Sequence, residues 1–432
     1  MRAMTTKAGQ TFVTPLIAIL GPALGGAFLI PQPWIGAILW LAVFQDLHHA
    51  AFALLGIVIA EAISRAGHIP DASPVDGSLK ANAVLATIAV AWLTKPLGLS
   101  AEIEIGIAAA AAVAATFFTA AIMRAVSAKG LPLMVLGYGV VAVMLFAIFP
   151  DWTAIASATI QWWPVPTDLL GWVRTFFGTL GALMFLPTVQ TGIILSVAIL
   201  LWSRAAFLAG VVGWIAGAAT AWTLGYLGVV YYWMPAAYNF FLAGMGLGAV
   251  FFQPGRASLL IAALGGCMAS LIAVALQHLF PTAAFGYLPI AASLAVWIGI
   301  YALEQASGQT LFQRNRNTEI PPEEAWWRTA YWARRAGNQP FLVVPVAGAV
   351  QVSQGADGRL SHRGHWRHAL DLQRPFVGTE AASDGIWEAP VLAPAAGRIE
   401  AIESGIRDNP VGVSNFANNW GNYVLFRLDQ AV

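Results

Sequence analysis

The chain has 432 residues, of which 58% are hydrophobic and 10% charged, with a net charge of +1 and a mean hydropathy of +0.69. A soluble domain carries about 25% charged residues, so a wholly soluble protein is excluded, and the near-zero charge gives no basis for nucleic acid as a partner. The single cysteine, Cys267, rules out an internal disulfide and any paired-cysteine motif.

At the start, Arg2 and Lys7 precede the apolar stretch Phe12–Ile30. Apolar segments continue directly after it, so it reads as a first membrane span with a cytoplasmic N-terminus rather than as a cleaved leader. A spanning helix needs about 20 mostly apolar residues. The sequence predicts spans at Phe12–Ile30, Trp34–Ile63, Glu104–Val126, Leu131–Phe149, Thr153–Trp172, Phe176–Trp202, Ala205–Leu227, Ala257–His278 and Tyr287–Glu304. Two stretches, Asn82–Leu99 and Asn239–Phe252, are shorter or more broken by Gly and Pro. They are expected to be half-helices lining a cavity, where exposed backbone is tolerated. Glu61, Arg124, Arg174 and Glu304 fall near span ends, where long side chains reach the interface, and read as anchors. Asp46, His48 and His49 admit three readings: a polar pore mouth, a metal site, or interfacial packing. Adjacent helical histidines point about 100° apart, which argues against one shared ion.

The membrane half repeats itself. Asn82-Ala-Val-Leu85-Ala86 recurs as Asn239-Phe-Phe-Leu242-Ala243 (239 − 82 = 157), and Leu131-Pro132 recurs as Leu288-Pro289 (288 − 131 = 157). Ser64-Arg65-Ala66 recurs as Ser203-Arg204-Ala205 at a different offset (203 − 64 = 139). These matches predict a duplicated unit with its pathway at the repeat interface. The change of offset predicts that the first repeat lacks the helix that Ala205–Leu227 supplies in the second.

These residues resemble the urea transporter family over roughly Leu16–Tyr301. Tyr238-Asn239-Phe-Phe-Leu242-Ala243-Gly-Met-Gly-Leu-Gly248 is similar to that family's segment opening a pore half-helix, and Thr191-Gly192, Ser203-Arg204 and the two Leu-Pro starts also match. The resemblance implies two inverted repeats around a pore for a small planar amide such as urea, assembled as a homotrimer in membrane lipid. It implies pore roles for Phe44, Phe185, Asn82, Asn239, Pro132 and Pro289. Urea is flat and rich in N–H donors, so aromatic faces and in-plane oxygen acceptors suit it. The family's Thr and Pro after each Leu-Pro are here Val135 and Gly137, and Ala292 and Leu294. Leu41 and Ala182 stand where a polar residue precedes each slot aromatic.

After Glu304 the composition becomes that of a soluble protein. Thr310–Arg335 reads as a connector, ending in a short interfacial helix with Trp326, Trp327 and Trp332 at headgroup level. From Phe341 onward, short strands broken by Gly and Pro predict an all-β unit. Ser361-His362-Arg-Gly-His365-Trp-Arg-His368-Ala-Leu-Asp371 carries imidazoles and a carboxylate suited to zinc, or forms a solvated polar loop. This tail resembles the lysostaphin-like zinc peptidoglycan peptidases, through His368-Ala369-Leu370-Asp371-Leu372, Pro390 to Gly397 and Asn419-Trp420-Gly421-Asn422. That implies zinc on His362 and Asp371, with His365 and His368 as alternatives, and peptidoglycan as a partner. The family's later His-x-His is not met before Val432, so the enzyme assignment stays uncertain and the domain reads as incomplete.

The expected fold is a polytopic α-helical membrane protein with two inverted repeats and a small C-terminal all-β metallopeptidase-like domain. The expected boundaries are 1–305 for the membrane domain (repeats about 12–150 and 151–305), 306–340 for a linker and 341–432 for the tail. The expected function is a channel-type transporter of urea or another small neutral solute in the cytoplasmic (inner) membrane, with the tail in the periplasm. The alternatives are a membrane-anchored zinc metalloendopeptidase of the cell wall and a non-catalytic wall-binding scaffold.

Overall fold

A computed structural model of the chain describes residues 17–69, 77–127, 131–159, 166–229, 233–281, 286–304, 313–315, 318–336, 342–347, 350–355, 366, 369–373, 389–407 and 421–428. It divides into two compact units, Met1–Trp326 and Trp327–Val432.

The first unit contains two sets of helices in the same order. The first set is α1 (Ile17–Phe28), α2 (Pro33–Val43), α3 (Leu47–Ala66), α4 (Ser78–Thr94), α5 (Ala101–Ser127) and α6 (Leu136–Ile148). The short α7 (Asp151–Thr159) follows. The second set is α8 (Leu169–Gly181, with a tighter turn to Met184), α9 (Val189–Trp202), α10 (Arg204–Tyr226), the broken α11 (Trp233–Ala236) and α12 (Tyr238–Met245), α13 (Arg256–Leu279) and α14 (Ile290–Glu304). A π turn, Gly246–Val250, prolongs α12.

Four helix starts have a local cause. Pro33 opens α2, where its missing N–H costs nothing. Asp46 caps α3 by accepting from the backbone N of His48 at 2.9 Å and of His49 at 3.3 Å. Thr188 and Ser203 cap α9 and α10 in the same way. Asp46 and Ser203 are 157 residues apart (203 − 46), which makes α3 the counterpart of α10. The expected loss of a helix from the first repeat is therefore wrong. Ser64-Arg65-Ala66 ends α3 whereas Ser203-Arg204-Ala205 opens α10, so that match at offset 139 joins unlike places.

Several expected spans are also broken. Trp34–Ile63 is two helices, separated by a turn at Phe44–Asp46. Phe176–Trp202 bends by 82° between α8 and α9, and α1 and α2 bend by 80°. Both bends use a non-glycine residue in the left-handed region, Leu29 (φ 60°) and Phe185 (φ 56°). In each, a backbone bond closes the turn behind it: Ile30 N to Gly25 O and Leu186 N to Gly181 O. Pro31 and Pro187 then prevent the helix from resuming in line. Where Thr153–Trp172 was expected to span, the described residues show α7 and the start of α8. Among the described residues four helices are long and apolar enough to cross a membrane, α3, α5, α10 and α13, or six spans if each bent pair counts as one.

Close backbone approach organises the second repeat. A Cβ on Gly213 of α10 would lie 2.6 Å from the Cα of Gly244 on α12, and one on Gly266 of α13 would run into Gly213 O. Small residues permit such approach where lipid supplies no hydrophobic drive between helices. Gly56, the counterpart of Gly213, meets Thr87 and Ala83 of α4. Outward faces carry exposed Leu54, Val58, Phe117, Leu208, Leu260, Leu264 and Leu271, which match lipid rather than water.

The chain after α14 returns to this unit. Arg314 forms a bridge with Phe252, and Asn315 donates from its backbone N to Phe251 O. The helix α15 (Pro322–Ala336) follows, with Trp326 and Trp327 exposed.

In the second unit β1 (Gln351–Gln354) pairs antiparallel with β2 (Asp371–Gln373), and β3 (Gly397–Glu403) pairs antiparallel with β4 (Tyr423–Leu428). Both pairs are interrupted by a register shift, at Val352/Gln354 and at Ile399/Ala401. The described part of the tail is thus a small two-sheet β region.

Candidate functional site

A cavity of about 350 Å³ lies where the two repeats meet. The first repeat supplies Leu85, Ala89, Trp92 and Leu93 from α4, and Val135, Tyr138, Ala142, Leu145 and Phe146 from α6 and its lead-in. The second supplies Gly178, Thr179, Ala182, Leu183 and Phe185 from the end of α8, Pro187 and Thr188 before α9, Met234, Pro235 and Tyr238, and Leu288-Pro289 before α14. The Phe185 ring stands 5.6 Å from Trp92 and 6.2 Å, edge to face, from Tyr138. Its left-handed backbone is what turns the ring toward these partners at the helix break.

The wall carries no charged side chain among the described residues. Its polar groups are hydroxyls, those of Thr179, Thr188, Tyr138 and Tyr238. Thr179 Oγ1 donates to Phe176 O at 2.9 Å and accepts from Trp214 Nε1 at 2.9 Å. Thr188 Oγ1 accepts from Thr191 N and shares a 2.9 Å bond with the Thr191 hydroxyl. An ion entering this space would lose water without gaining a counter-charge, at a cost of several kcal/mol. A neutral solute with N–H donors meets flat aromatic faces and fixed oxygens.

Of the residues singled out in the sequence, Phe185 and Pro289 lie in the wall. Asn82 and Asn239 do not, and each latches its helix, α4 or α12, to the start of the last helix of its own repeat, α6 or α14. The Asn82 amide donates to Ser78 O at 2.8 Å and Met134 O at 3.1 Å, and its Oδ1 accepts from Tyr138 N at 2.8 Å. The Asn239 amide donates to Ala236 O at 3.0 Å, and its Oδ1 accepts from Ala292 N at 3.1 Å. Both amides are fully buried, and both hold a helix against the segment after Leu-Pro. Pro132 contributes its carbonyl to Trp297 Nε1 at 2.7 Å. Phe44 ends α2, is 49% exposed and packs on Trp40, away from Phe185. By backbone position the counterpart of Phe185 is Leu29. Sequence reasoning passed over Trp92, Tyr138 and Thr188; only Tyr238, beside the repeated Asn239, carried a signal there.

Asp46, His48 and His49 do come together at the start of α3. Lys95 Nζ lies 2.7 Å from Asp46 Oδ2, and His48 Nε2 lies 3.2 Å from Glu104 Oε2. Burial opposes the Asp46 charge, but the Lys95 hydrogen bond, His49 and a backbone N–H outweigh it and hold the carboxyl well below the usual carboxylate range. The acids here already have cationic or imidazole partners, so the cluster is accounted for as a capped, ion-paired helix start. His49 is buried, with Nδ1 3.3 Å from Asp46 Oδ2.

In the tail, Asp371 opens β2 and is exposed, with Oδ2 accepting from Gln354 Nε2 at 3.1 Å. His362, His365 and His368 lie outside the described residues.

The sequence profile of the urea transporter family matches residues 19–304. The chain belongs to the urea transporter family. It is accordingly a multi-pass membrane protein whose family transports urea, and the cavity lies inside the matched region. The match stops at the last membrane helix and does not reach the tail. No curated protein matches the chain.

Proposed function

We propose that this urea transporter family member passes urea, or a small neutral solute like it, through a channel-type path at the repeat interface. The observation that carries the reading is the composition of the cavity wall: aromatic faces of Phe185, Trp92 and Tyr138, hydroxyl acceptors, and no charge. The two repeats are inverted. Support comes from the wall itself, which joins the last turns of α4 to the first turns of α11 and α12, so corresponding elements run in opposite directions past one cavity. The working assembly is a homotrimer in the cytoplasmic membrane. Stopped-flow shrinkage of proteoliposomes in a urea gradient tests the reading. Urea permeability above empty liposomes, cut several-fold by Phe185→Trp without loss of monodispersity, is the expected result. Permeability equal to empty liposomes at full reconstitution overturns it.

For the tail we propose a peptidoglycan-directed, zinc-peptidase-like domain exposed to the periplasm, with His362 and Asp371 as ligands and His365 or His368 as alternatives. Asp371 is chemically a suitable donor, on the exposed head of a strand. One carboxylate supports no reaction step, so binding rather than cleavage is the proposed role. Metal analysis of the purified full chain, before and after His362→Ala, tests it. Equal zinc in both forms removes His362 from the site.

A further inference from the structure

The hydroxyls in the cavity wall are not equivalent. A hydroxyl has one proton to give and two lone pairs with which to accept. The phenols of Tyr138 and Tyr238 can do either. Thr188 shares its bond with the Thr191 hydroxyl in either direction. Thr179 differs. Its proton goes to Phe176 O, one turn back on α8, and the indole N–H of Trp214 occupies one of its lone pairs, both at 2.9 Å. An indole N–H is a donor only, so the roles in that bond are fixed. What remains on Thr179 Oγ1 is a single lone pair, able to accept and unable to donate.

The pair is held from several sides. A helical threonine divides between two χ1 wells, because its hydroxyl reaches a backbone carbonyl in either, and the Trp214 bond selects one. Trp214 is 5% exposed, and its ring stands edge to face with Trp172 at 6.2 Å and with Phe176 at 5.2 Å. The residue before it, Gly213, is seated against the backbone of α12. The start of α10 is fixed as well, because Glu323 accepts from Ala205 N and from the Ser203 hydroxyl, each at 2.7 Å. The first repeat has no such pair. By the matched bends (185 − 29 = 156) Thr179 corresponds to Ala23 (179 − 156 = 23), and by the α3–α10 offset of 157 Trp214 corresponds to Ile57 (214 − 157 = 57). Both counterparts are buried, and neither side chain can hydrogen-bond.

We propose that Thr179 is the acceptor for the solute's N–H groups in this cavity, and that Trp214 is the positioning residue that keeps it one. The proposal rests on the reading of the cavity as a pore and deepens it, by naming the group that selects for amides. On α8 and the tighter turn that ends it, Thr179, Ala182 and Phe185 follow one another at intervals of three, on one face, and all three line the cavity. Thr179 carries the only oxygen among these three side chains. A planar amide moving along this face exchanges the Phe185 ring for a fixed acceptor within about two turns. A solute that offers only oxygen acceptors gains nothing there, since the hydroxyl has no proton left to give.

Stopped-flow urea permeability of proteoliposomes carrying the full chain tests it, with Thr179→Val, Thr179→Ser, Trp214→Phe and the double variant Thr179→Val plus Trp214→Phe. Thr179→Val keeps the size and loses the acceptor, and should lower urea permeability about fivefold. Thr179→Ser, which keeps the hydroxyl, should recover most of that loss. Trp214→Phe keeps a ring and loses the N–H. Alone it should lower permeability about threefold, and in the Thr179→Val background it should change nothing, because a residue that acts through another adds no effect once that other is gone. Thr179→Cys, whose sulfur accepts only weakly, replaces Thr179→Val if that variant elutes as aggregate, with the same expectation. Permeability of Thr179→Val equal to wild type, or of Thr179→Ser as low as Thr179→Val, overturns the acceptor. A loss from Trp214→Phe that persists in the Thr179→Val background overturns the positioning role and makes Trp214 a packing residue. Wild-type permeability equal to that of empty liposomes removes the pore reading itself, and the acceptor role with it.

Discussion

Around Phe185 the second repeat faces a cavity, whereas around its counterpart Leu29 the residues are packed. Ala23, Ala27 and Ile30 beside it are buried, and nearby Gln32 donates to Glu319 O. Several features are common to both ends: the bends of 80° and 82°, the left-handed residue and the buried Asn latch. Side chains and chain continuity differ. The duplication therefore sets the backbone at both ends, and the unpaired side chains decide which end carries the cavity.

The comparison can be broken most severely at the shared packing. Gly213→Leu drives a side chain into the backbone of α12, a change expected to cost about 3 kcal/mol or more. Its purified yield as a monodisperse species should collapse, and Gly56→Leu should do the same if α3 and α10 are true counterparts. Next come the latches. Asn82→Ala removes three hydrogen bonds and Asn239→Ala two. Melting in detergent should show both destabilised, by roughly 2–3 kcal/mol for Asn82 and less for Asn239. Equal melting of Asn82→Ala and wild type would mean that the latch is ornamental.

A smaller effect is expected on selectivity. Phe185→Leu makes the two ends alike and should reduce the preference for urea over dimethylurea in liposome flux, since one apolar group in a pocket changes discrimination by about 1–3 kcal/mol. Leu29→Phe, at the packed end, should leave that preference unaltered. The smallest effect belongs to the helix-cap pair. Asp46→Asn should cost about 1 kcal/mol at most, because Lys95 is more than half exposed and its attraction is screened. The folded Asp46 carboxyl sits below its usual range. Its contribution is therefore complete above the unfolded value of about 3.9 and is lost only as pH falls through the lower folded value. The stability gap between Asp46→Asn and wild type should be flat from about pH 5 to 8.

Much of this was legible in the chain. The loss of apolar character near Glu304 coincides with the end of α14, and the two motifs at offset 157 mark corresponding elements. The bends were not legible, because Leu29 and Phe185 adopt left-handed backbone without glycine and sit in apolar runs that read as continuous spans. That is also why the sequence pairs Phe44 with Phe185 rather than Leu29: without the break at Leu29, nothing in the apolar run marks that position. The third motif failed because Ser-Arg-Ala suits the last turn of one helix and the first of another equally well. The cavity wall draws on five separate stretches of sequence, so Trp92 and Tyr138 had no shared spacing to betray them. The Gln32–Glu319 bond joins segments nearly 290 residues apart, and nothing local in either announces the other.

The position of Glu323 has a consequence for biogenesis. A ribosome delivers the chain from its N-terminus, so Gln32 and the start of α10 enter the bilayer long before the residues that complete them exist. Until Glu323 emerges, α10 has only Ser203 at its first turn. Both repeats must therefore begin to insert without this carboxylate, and its arrival completes the first turn of α10 just before the tail is synthesised.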